Sequence, residues 1–185
     1  MTTQQLIRGD RDYVLGADIL DAILAEFSVG QDWNFDFVVQ RKCKKQFRIV
    51  GELTDIPAES VVGRYQDSSH RLWVIEGQDM LTESVEDDEA TLQSYLTWKD
   101  QMVFAETLPA SFSLTRYCVV GFKTLLNTQV LKDSKNKFLF TRLKVHKQPD
   151  FPCGIEYKRC INKRFYEGRI VGDGEQVGEI YFYAE

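Results

Sequence analysis

The sequence has few of the residues on which metal sites and many catalytic sites depend. Among its 185 residues there are only two histidines and four cysteines, and no two cysteines form a C-x-x-C pair. A zinc site needs about four clustered Cys, His or carboxylate ligands, and neither His70 nor His146 stands at ligand spacing from a cysteine. We therefore expect no metal and no cofactor. Because we expect a reducing compartment, we also expect free thiols and no disulfides.

Signature motifs of several other classes are missing as well. There is no G-x-x-x-x-G-K-[ST] phosphate loop, no G-x-G-x-x-G between a strand and a helix, and no G-x-S-x-G nucleophile elbow. Apolar runs are far shorter than the roughly 20 residues that a membrane-spanning helix needs. Residues 1–14 lack the basic start and the apolar core of a signal peptide. The expectation is a soluble, cytoplasmic protein with no membrane partner.

Charge is distributed unevenly along the chain, whose net charge is −5. Residues 76–106 contain nine acidic residues and one lysine, whereas residues 107–185 contain thirteen Lys and Arg and eight acidic residues. Acidic side chains are favourable near the N-terminus of a helix. We interpret the acidic segment as the solvated face of a helix.

The order of predicted elements is the same in both halves of the chain, a helix followed by antiparallel strands. Apolar residues recur at three- and four-residue steps, the period of a helix, over 17–27, 87–105 and 122–130. Apolar and polar residues alternate, the period of a strand, over 33–40, 47–53, 71–75, 138–145, 155–161 and 177–183. The Gly-Asp-Gly at 172–174 predicts a hairpin turn, and turns are also expected at 28–32 and 133–136, after the first and third helical patterns. The pattern indicates a first half (1–80), a linking helix (81–108) and a second half (109–185).

A weak internal similarity accompanies this repeated order. Sliding the sequence along itself by 105 residues superposes identical residues, among them Gly16 on Gly121 and Phe35 on Phe140. An ancient duplication and a chance match between two stretches of similar secondary structure explain this number of identities equally well.

The last four strand-like segments read FLFTRLKVH, GIEYKRCINKRF, YEGRIVGDG and VGEIYFYAE. Together with the helix before them, they resemble the hot-dog fold, in which an antiparallel sheet wraps one central helix. The resemblance covers 137–185 and its helix, and more faintly 11–77, so the whole resembles a double hot-dog chain. It implies an α+β fold with antiparallel sheets wrapping helices. It also implies an acyl-CoA or acyl-carrier-protein thioester as ligand, thioesterase or dehydratase activity if the chain is an enzyme, and a homodimer as an assembly to test.

The resemblance directs attention to one histidine and two carboxylates. Family dehydratases carry a histidine in a loop rich in proline and glycine, which this chain lacks, but His70 precedes an apolar strand and is better placed than His146 for general acid–base work. Family thioesterases often rely on a carboxylate near the central helix, which suggests Asp18 and Asp21. The catalytic hypothesis is thus His70 with Asp18 or Asp21. A turn histidine, a helix-capping Asp18 and a solvent-facing Asp21 are the structural explanations of the same residues.

Two other functions fit the sequence. One is a scaffold or partner-binding protein that keeps the hot-dog shape without catalysis. The other is a single-stranded nucleic-acid-binding module, which would use basic residues beside stacking aromatic rings. The residues available for it are Arg41, Lys42, Lys44, Lys45, Arg48, Lys158, Arg159, Lys163 and Arg164, with Tyr157, Phe165 and Tyr166. The isoelectric point of about 5.2 argues against this function for the chain as a whole.

Overall fold

The computed structural model describes residues 5–27, 33–131 and 137–185, and the turns that the sequence predicts at 28–32 and 133–136 lie outside these ranges. The chain divides into two compact units, Met1–Asp87 and Asp88–Glu185. Each unit combines helix with an antiparallel sheet, so the predicted α+β fold class is confirmed.

The first unit contains a four-stranded antiparallel sheet in the order β3-β5-β4-β2 and a separate parallel pair, β1 with β6. Its elements are β1 (Ile7–Arg8), α1 (Gly16–Glu26), β2 (Phe35–Val39), β3 (Lys45–Val50), a 3₁₀ turn (Ala58–Ser60), β4 (Val61–Gln66), β5 (Arg71–Met80) and β6 (Ser84–Val85). Helix α1 buries the predicted apolar stripe, since Ile19, Leu20 and Ile23 are at most 1% exposed.

Strand β4 is missing from the sequence prediction because its side chains do not alternate between buried and exposed. Val61, Val62, Gly63 and Tyr65 are all buried in this strand, which lies between β2 and β5. A Cβ at Gly63 would lie 2.5 Å from the carbonyl oxygen of Val38, and the pairing with β5 shifts register beside it. A period of two does not appear where both faces of a strand are covered.

The second unit contains a six-stranded antiparallel sheet in the order β9-β12-β11-β10-β8-β7. Its elements are α2 (Glu89–Gln93), β7 (Thr97–Lys99), β8 (Met102–Ala105), α3 (Leu114–Leu125) with a π-helical turn (Leu126–Val130), β9 (Phe138–Val145), β10 (Cys153–Ile161), β11 (Phe165–Gly172) and β12 (Glu175–Ala184). The predicted hairpin turn at 172–174 is confirmed, because Asp173 and Gly174 join β11 to β12 with φ values of 49° and 77°.

Helix α3 packs against one face of this sheet and contacts β8, β10 and β12. The fully buried Phe122 ring lies over Gly168 of β11, where a Cβ would come within 2.9 Å of three ring atoms. The ring also contacts Phe182, with centroids 5.5 Å apart. One helix thus touches four strands of one sheet, which is the helix-in-sheet packing that the hot-dog resemblance implies.

The prediction of a linking helix over 81–108 is wrong. Only Glu89–Gln93 is helical there, and β7 and β8 form a hairpin after it. The turn of this hairpin places Asp100 and Gln101 at φ values of 49° and 69°, which a helix cannot accommodate. The three- and four-residue spacing of apolar residues in this segment arises from a short helix and two short strands in succession.

The third predicted helix is present but begins earlier than the sequence indicates. Helix α3 starts at Leu114, after Ser113, whose hydroxyl accepts a hydrogen bond from the Arg116 amide at 3.0 Å. All residues from Thr115 to Phe122 are buried. A helix that is covered on every side shows no apolar stripe, and this obscured its first two turns in the sequence.

Two residues of the acidic segment form ion pairs with side chains of α3. The guanidinium of Arg116, which is only 4% exposed, forms an ion pair with Asp88. Lys123 Nζ lies 2.8 Å from Glu89 Oε1. Interpreting the whole acidic segment as a solvated helix face is therefore wrong for Asp88 and Glu89.

Candidate functional site

His70 lies at the tip of the hairpin that joins β4 to β5 in the first unit. The turn closes through the amide of Asp67, which donates to the carbonyl of His70 at 3.0 Å. Asp67 Oδ1 accepts from the amides of Ser69 at 2.7 Å and His70 at 2.6 Å. An aspartate at the start of a turn often accepts from amides in this way. These hydrogen bonds therefore fix the backbone position of His70.

Asp67 also contacts the His70 ring. His70 Nδ1 lies 3.2 Å from each carboxylate oxygen of Asp67, and the Tyr65 hydroxyl donates to Oδ2 at 3.0 Å. The Asp67 side chain is 6% exposed and that of His70 is 39% exposed. Because an ionised carboxylate only accepts hydrogen bonds, Nδ1 carries the proton in the neutral ring and Nε2 holds a lone pair.

The ionisation of this cluster favours such an arrangement. Burial alone would raise the pKa of Asp67, but hydrogen bonds from the Ser69 and His70 amides and from the His70 and Tyr65 side chains bring that pKa below its usual value. Burial, reinforced by the hydrogen bond to Asp67, raises the pKa of Tyr65. At neutral pH Asp67 is an anion and Tyr65 a neutral donor.

The structure does not bring His70 into contact with Asp18 or Asp21, the other two residues of the catalytic hypothesis. Asp18 lies in the first turn of α1, where both of its carboxylate oxygens accept from Arg8 Nε, at 3.0 and 3.1 Å. Asp21 is half-buried one turn further along the same helix. The His70 ring lies 6.2 Å from the ring of Phe27, which follows the C-terminal end of α1. Phe27 is nine residues after Asp18, a rise of about 13 Å along the helix.

Sequence reasoning missed Asp67, the carboxylate that His70 does contact. Its signal was the stretch Asp-Ser-Ser-His, in which an aspartate stands two and three residues before the amides that it binds. His146 lies at the end of β9 with an exposed side chain, and its amide donates to the Val177 carbonyl at 2.8 Å.

A cavity of about 280 Å³ lies in the second unit, where the π-helical turn meets β10 and the β7–β8 hairpin. It is lined by Asp100, Gln101, Gln129, Val130, Glu156 and Tyr157. Arg169 binds the carboxylate of Glu156 at 3.2 Å, and burial followed by the proximity of Cys160 raises the pKa of Tyr157. The lining offers carboxylate, amide and phenol groups for polar contacts.

Residues 5–27, 33–131 and 137–185 contain neither a metal-binding cluster nor a membrane-spanning helix. No group of three or more His, Cys, Asp or Glu side chains there could hold a metal ion. Nor is any helix of those ranges long and apolar enough to cross a membrane.

Comparisons with known proteins gave similarities of chain path. No family model matches the sequence, and no curated protein matches it. A tesB protein of Mycobacterium avium subsp. paratuberculosis is 9% identical and has a TM-score of 0.44, covering 98% of this chain and 91% of its own. The dehydratase domain of PpsC from Mycobacterium tuberculosis, in complex with C12:1-CoA, is 13% identical with a TM-score of 0.47, covering 94% and 85%. An erythromycin dehydratase is 16% identical with a TM-score of 0.47, covering 98% and 84%.

Proposed function

We propose that this chain binds acyl thioesters and that the pair Asp67–His70 promotes their hydrolysis. The observation that carries the proposal is the buried Asp67 carboxylate on Nδ1 of a partly exposed His70. A carboxylate in this position holds the imidazole in one tautomer and one orientation, and it stabilises the imidazolium that forms during proton transfer. The hot-dog resemblance supplies the substrate class.

In the proposed reaction, His70 acts as general base and then as general acid. Nε2 takes a proton from a water molecule as the water oxygen attacks the thioester carbonyl carbon. The tetrahedral intermediate then expels sulfur, the C–S bond breaks, and the imidazolium returns the proton to the thiolate. The products are a carboxylic acid and a free thiol. General acid–base catalysis of this kind contributes about 10²–10⁴-fold to a rate.

The test is a panel of acyl-CoA substrates of increasing chain length, with release of free thiol as the readout. We expect His70→Ala to lower kcat/KM by about 10²-fold or more on any substrate that wild type hydrolyses. Asp67→Asn should lower kcat more than it raises KM, because the amide still closes the turn but no longer stabilises the imidazolium. The matched control is His146→Ala, which removes the other histidine at an exposed position.

Three results would contradict the proposal in different ways. Equal activity of the His70 and His146 variants would remove His70 from the mechanism. Binding of acyl-CoA, detected by native mass spectrometry, without hydrolysis by wild type would instead identify a non-catalytic thioester-binding protein. Absence of both binding and hydrolysis would leave the scaffold function as the explanation.

A further inference from the structure

The second unit has an exposed and a half-buried aromatic ring beside cations at the tip of the β10–β11 hairpin. Phe165 is 42% exposed, one of few large apolar side chains with that exposure. It pairs with Tyr183 across β11 and β12, and their ring centroids are 5.1 Å apart. The guanidinium of Arg164 donates to the Tyr183 hydroxyl at 2.9 Å. We call Arg159, Lys163, Arg164, Phe165 and Tyr183 the hairpin-tip patch.

The charge of this patch is positive although the chain is acidic. Residues 158–165 contain four Lys and Arg and no acidic residue. Glu167 neutralises part of this charge, since its buried carboxylate binds both Lys158 at 2.5 Å and Arg159 at 2.6 Å. Lys163 and Arg164 are exposed, and within the described part of the chain neither has a carboxylate partner. The patch therefore keeps a net positive charge.

The patch differs from the basic surface that the sequence suggests. Arg41, Lys44 and Lys45 lie in the first unit, where Glu76 binds the Arg41 side chain and the amides of both lysines. Tyr166 is 6% exposed and therefore unable to stack on a ligand. The ring that replaces it is Tyr183, which sequence reasoning did not include.

We propose that the hairpin-tip patch binds single-stranded nucleic acid. An unpaired base stacks on Phe165, which Tyr183 supports from the side, while Lys163 and Arg164 meet the phosphates on either side of that base. Stacking on an aromatic ring is possible for every base, and the contacts name no base edge, so binding is not sequence-specific. The flanking cations complement a phosphate backbone, whereas an acidic peptide would leave the ring pair without a stacking partner.

The test measures fluorescence anisotropy of labelled dT12 and rU12 with the full chain. We expect binding at 50 mM NaCl that weakens roughly sevenfold at 200 mM, because Lys163 and Arg164 displace about two counterions from a single strand. Phe165→Ala should weaken binding about tenfold, and Phe165→Trp should retain it. Tyr95→Ala is the matched control, because Tyr95 is an equally exposed ring (47%) in the acidic segment of the same unit.

Charge reversal provides a second, independent arm. Lys163→Glu should weaken binding at 50 mM NaCl at least fivefold, while Lys147→Glu, an exposed lysine past the opposite end of β9, should change it less than twofold. Equal effects of these two substitutions, or of Phe165→Ala and Tyr95→Ala, would overturn the proposal. So would a duplex that binds as tightly as the single strand. Competition by ADP at the affinity of dT12 would show instead that the patch takes a free nucleotide.

Discussion

Both units place a helix before a run of antiparallel strands, but they use their partly or fully buried carboxylates differently. In the first unit, Asp67 accepts hydrogen bonds from main-chain amides in the β4–β5 turn, and Glu76 accepts from the Lys44 and Lys45 amides where the chain enters β3. In the second unit, Glu167 and Glu179 accept from side chains on a sheet face, with Tyr181 donating to Glu179 at 2.9 Å. A carboxylate bound to main-chain amides fixes a turn, whereas one bound to long side chains fixes only the side chains.

The main helices of the two units differ in how much of their surface is buried. Helix α1 buries one stripe, whereas α3 is buried over most of its length. We infer that α3 and its sheet supply much of the stability of the second unit, while the first unit holds a turn that Asp67 fixes.

The largest effect is expected for Phe122→Ala. The substitution removes a fully buried ring that contacts Gly168 and Phe182, and it should lower the free energy of unfolding by about 3–5 kcal/mol. Hydrogen exchange should accelerate mainly in residues 88–185. The control is Phe165→Ala, for which the expected change is within about 0.5 kcal/mol. An equal loss of protection in both units would remove the contrast between them.

Gly168→Ala should have the next largest effect. A Cβ at this position would lie 2.5–2.9 Å from the Phe122 ring, so the expected cost is about 1–3 kcal/mol of unfolding free energy. Gly51→Ala is the comparison, since nothing lies within 4 Å of a Cβ there. Chemical denaturation of both variants measures the difference. A Gly168 variant as stable as the Gly51 variant would show that α3 adjusts its packing freely.

Glu167→Gln tests the carboxylate on the sheet face. Although burial opposes ionisation, hydrogen bonds from Lys158 and Arg159 bring the pKa of Glu167 below its usual value. A lowered pKa contributes stability above the unfolded-state pKa of about 4.3, and this stability is lost as the pH falls through the folded-state pKa. At pH 7 the variant should be about 1–2 kcal/mol less stable than wild type, and the difference should shrink as the pH falls through the lowered folded-state pKa.

Glu175→Gln is the control for this pH profile, because Glu175 is exposed. Its stability should follow that of wild type from pH 7 down to pH 2. A Glu167 variant that stays less stable by the same amount at every pH would show that shape, and not charge, is what the Glu167 side chain contributes.

The smallest effect is expected for Lys158→Ala. Lys158 is one of two cations on Glu167 and is 34% exposed, so Arg159 remains to bind the carboxylate. A loss of about 0.5 kcal/mol is expected, and a double-mutant cycle with Glu167→Gln isolates the pairwise interaction. A cost larger than that of Glu167→Gln itself would mean that the lysine stem packs in a way the charge pairing does not explain.

Regular strands with one buried face were predictable from the sequence, and elements with unusual burial were not. The strand β9 alternates and was found, whereas β4 is covered on both faces and was missed. The internal similarity illustrates the same limit: Gly16 is the first residue of α1, but its match Gly121 lies in the middle of α3. In the candidate site, His70 was predictable because the chain has only two histidines. The role of Asp67 depends on the turn that brings its carboxylate to the His70 ring, and it was recognised only from the structure.

The ion pair between Asp88 and Arg116 has a practical consequence for isolating the second unit. The division between the units falls at residues 87 and 88, so the first residue of the second unit is the partner of a nearly inaccessible guanidinium. A recombinant fragment that begins only two residues later would lose the anchors of both Arg116 and Lys123. An excised second unit should therefore start at Asp88 or upstream of it, because a later start leaves the buried guanidinium of Arg116 without its carboxylate.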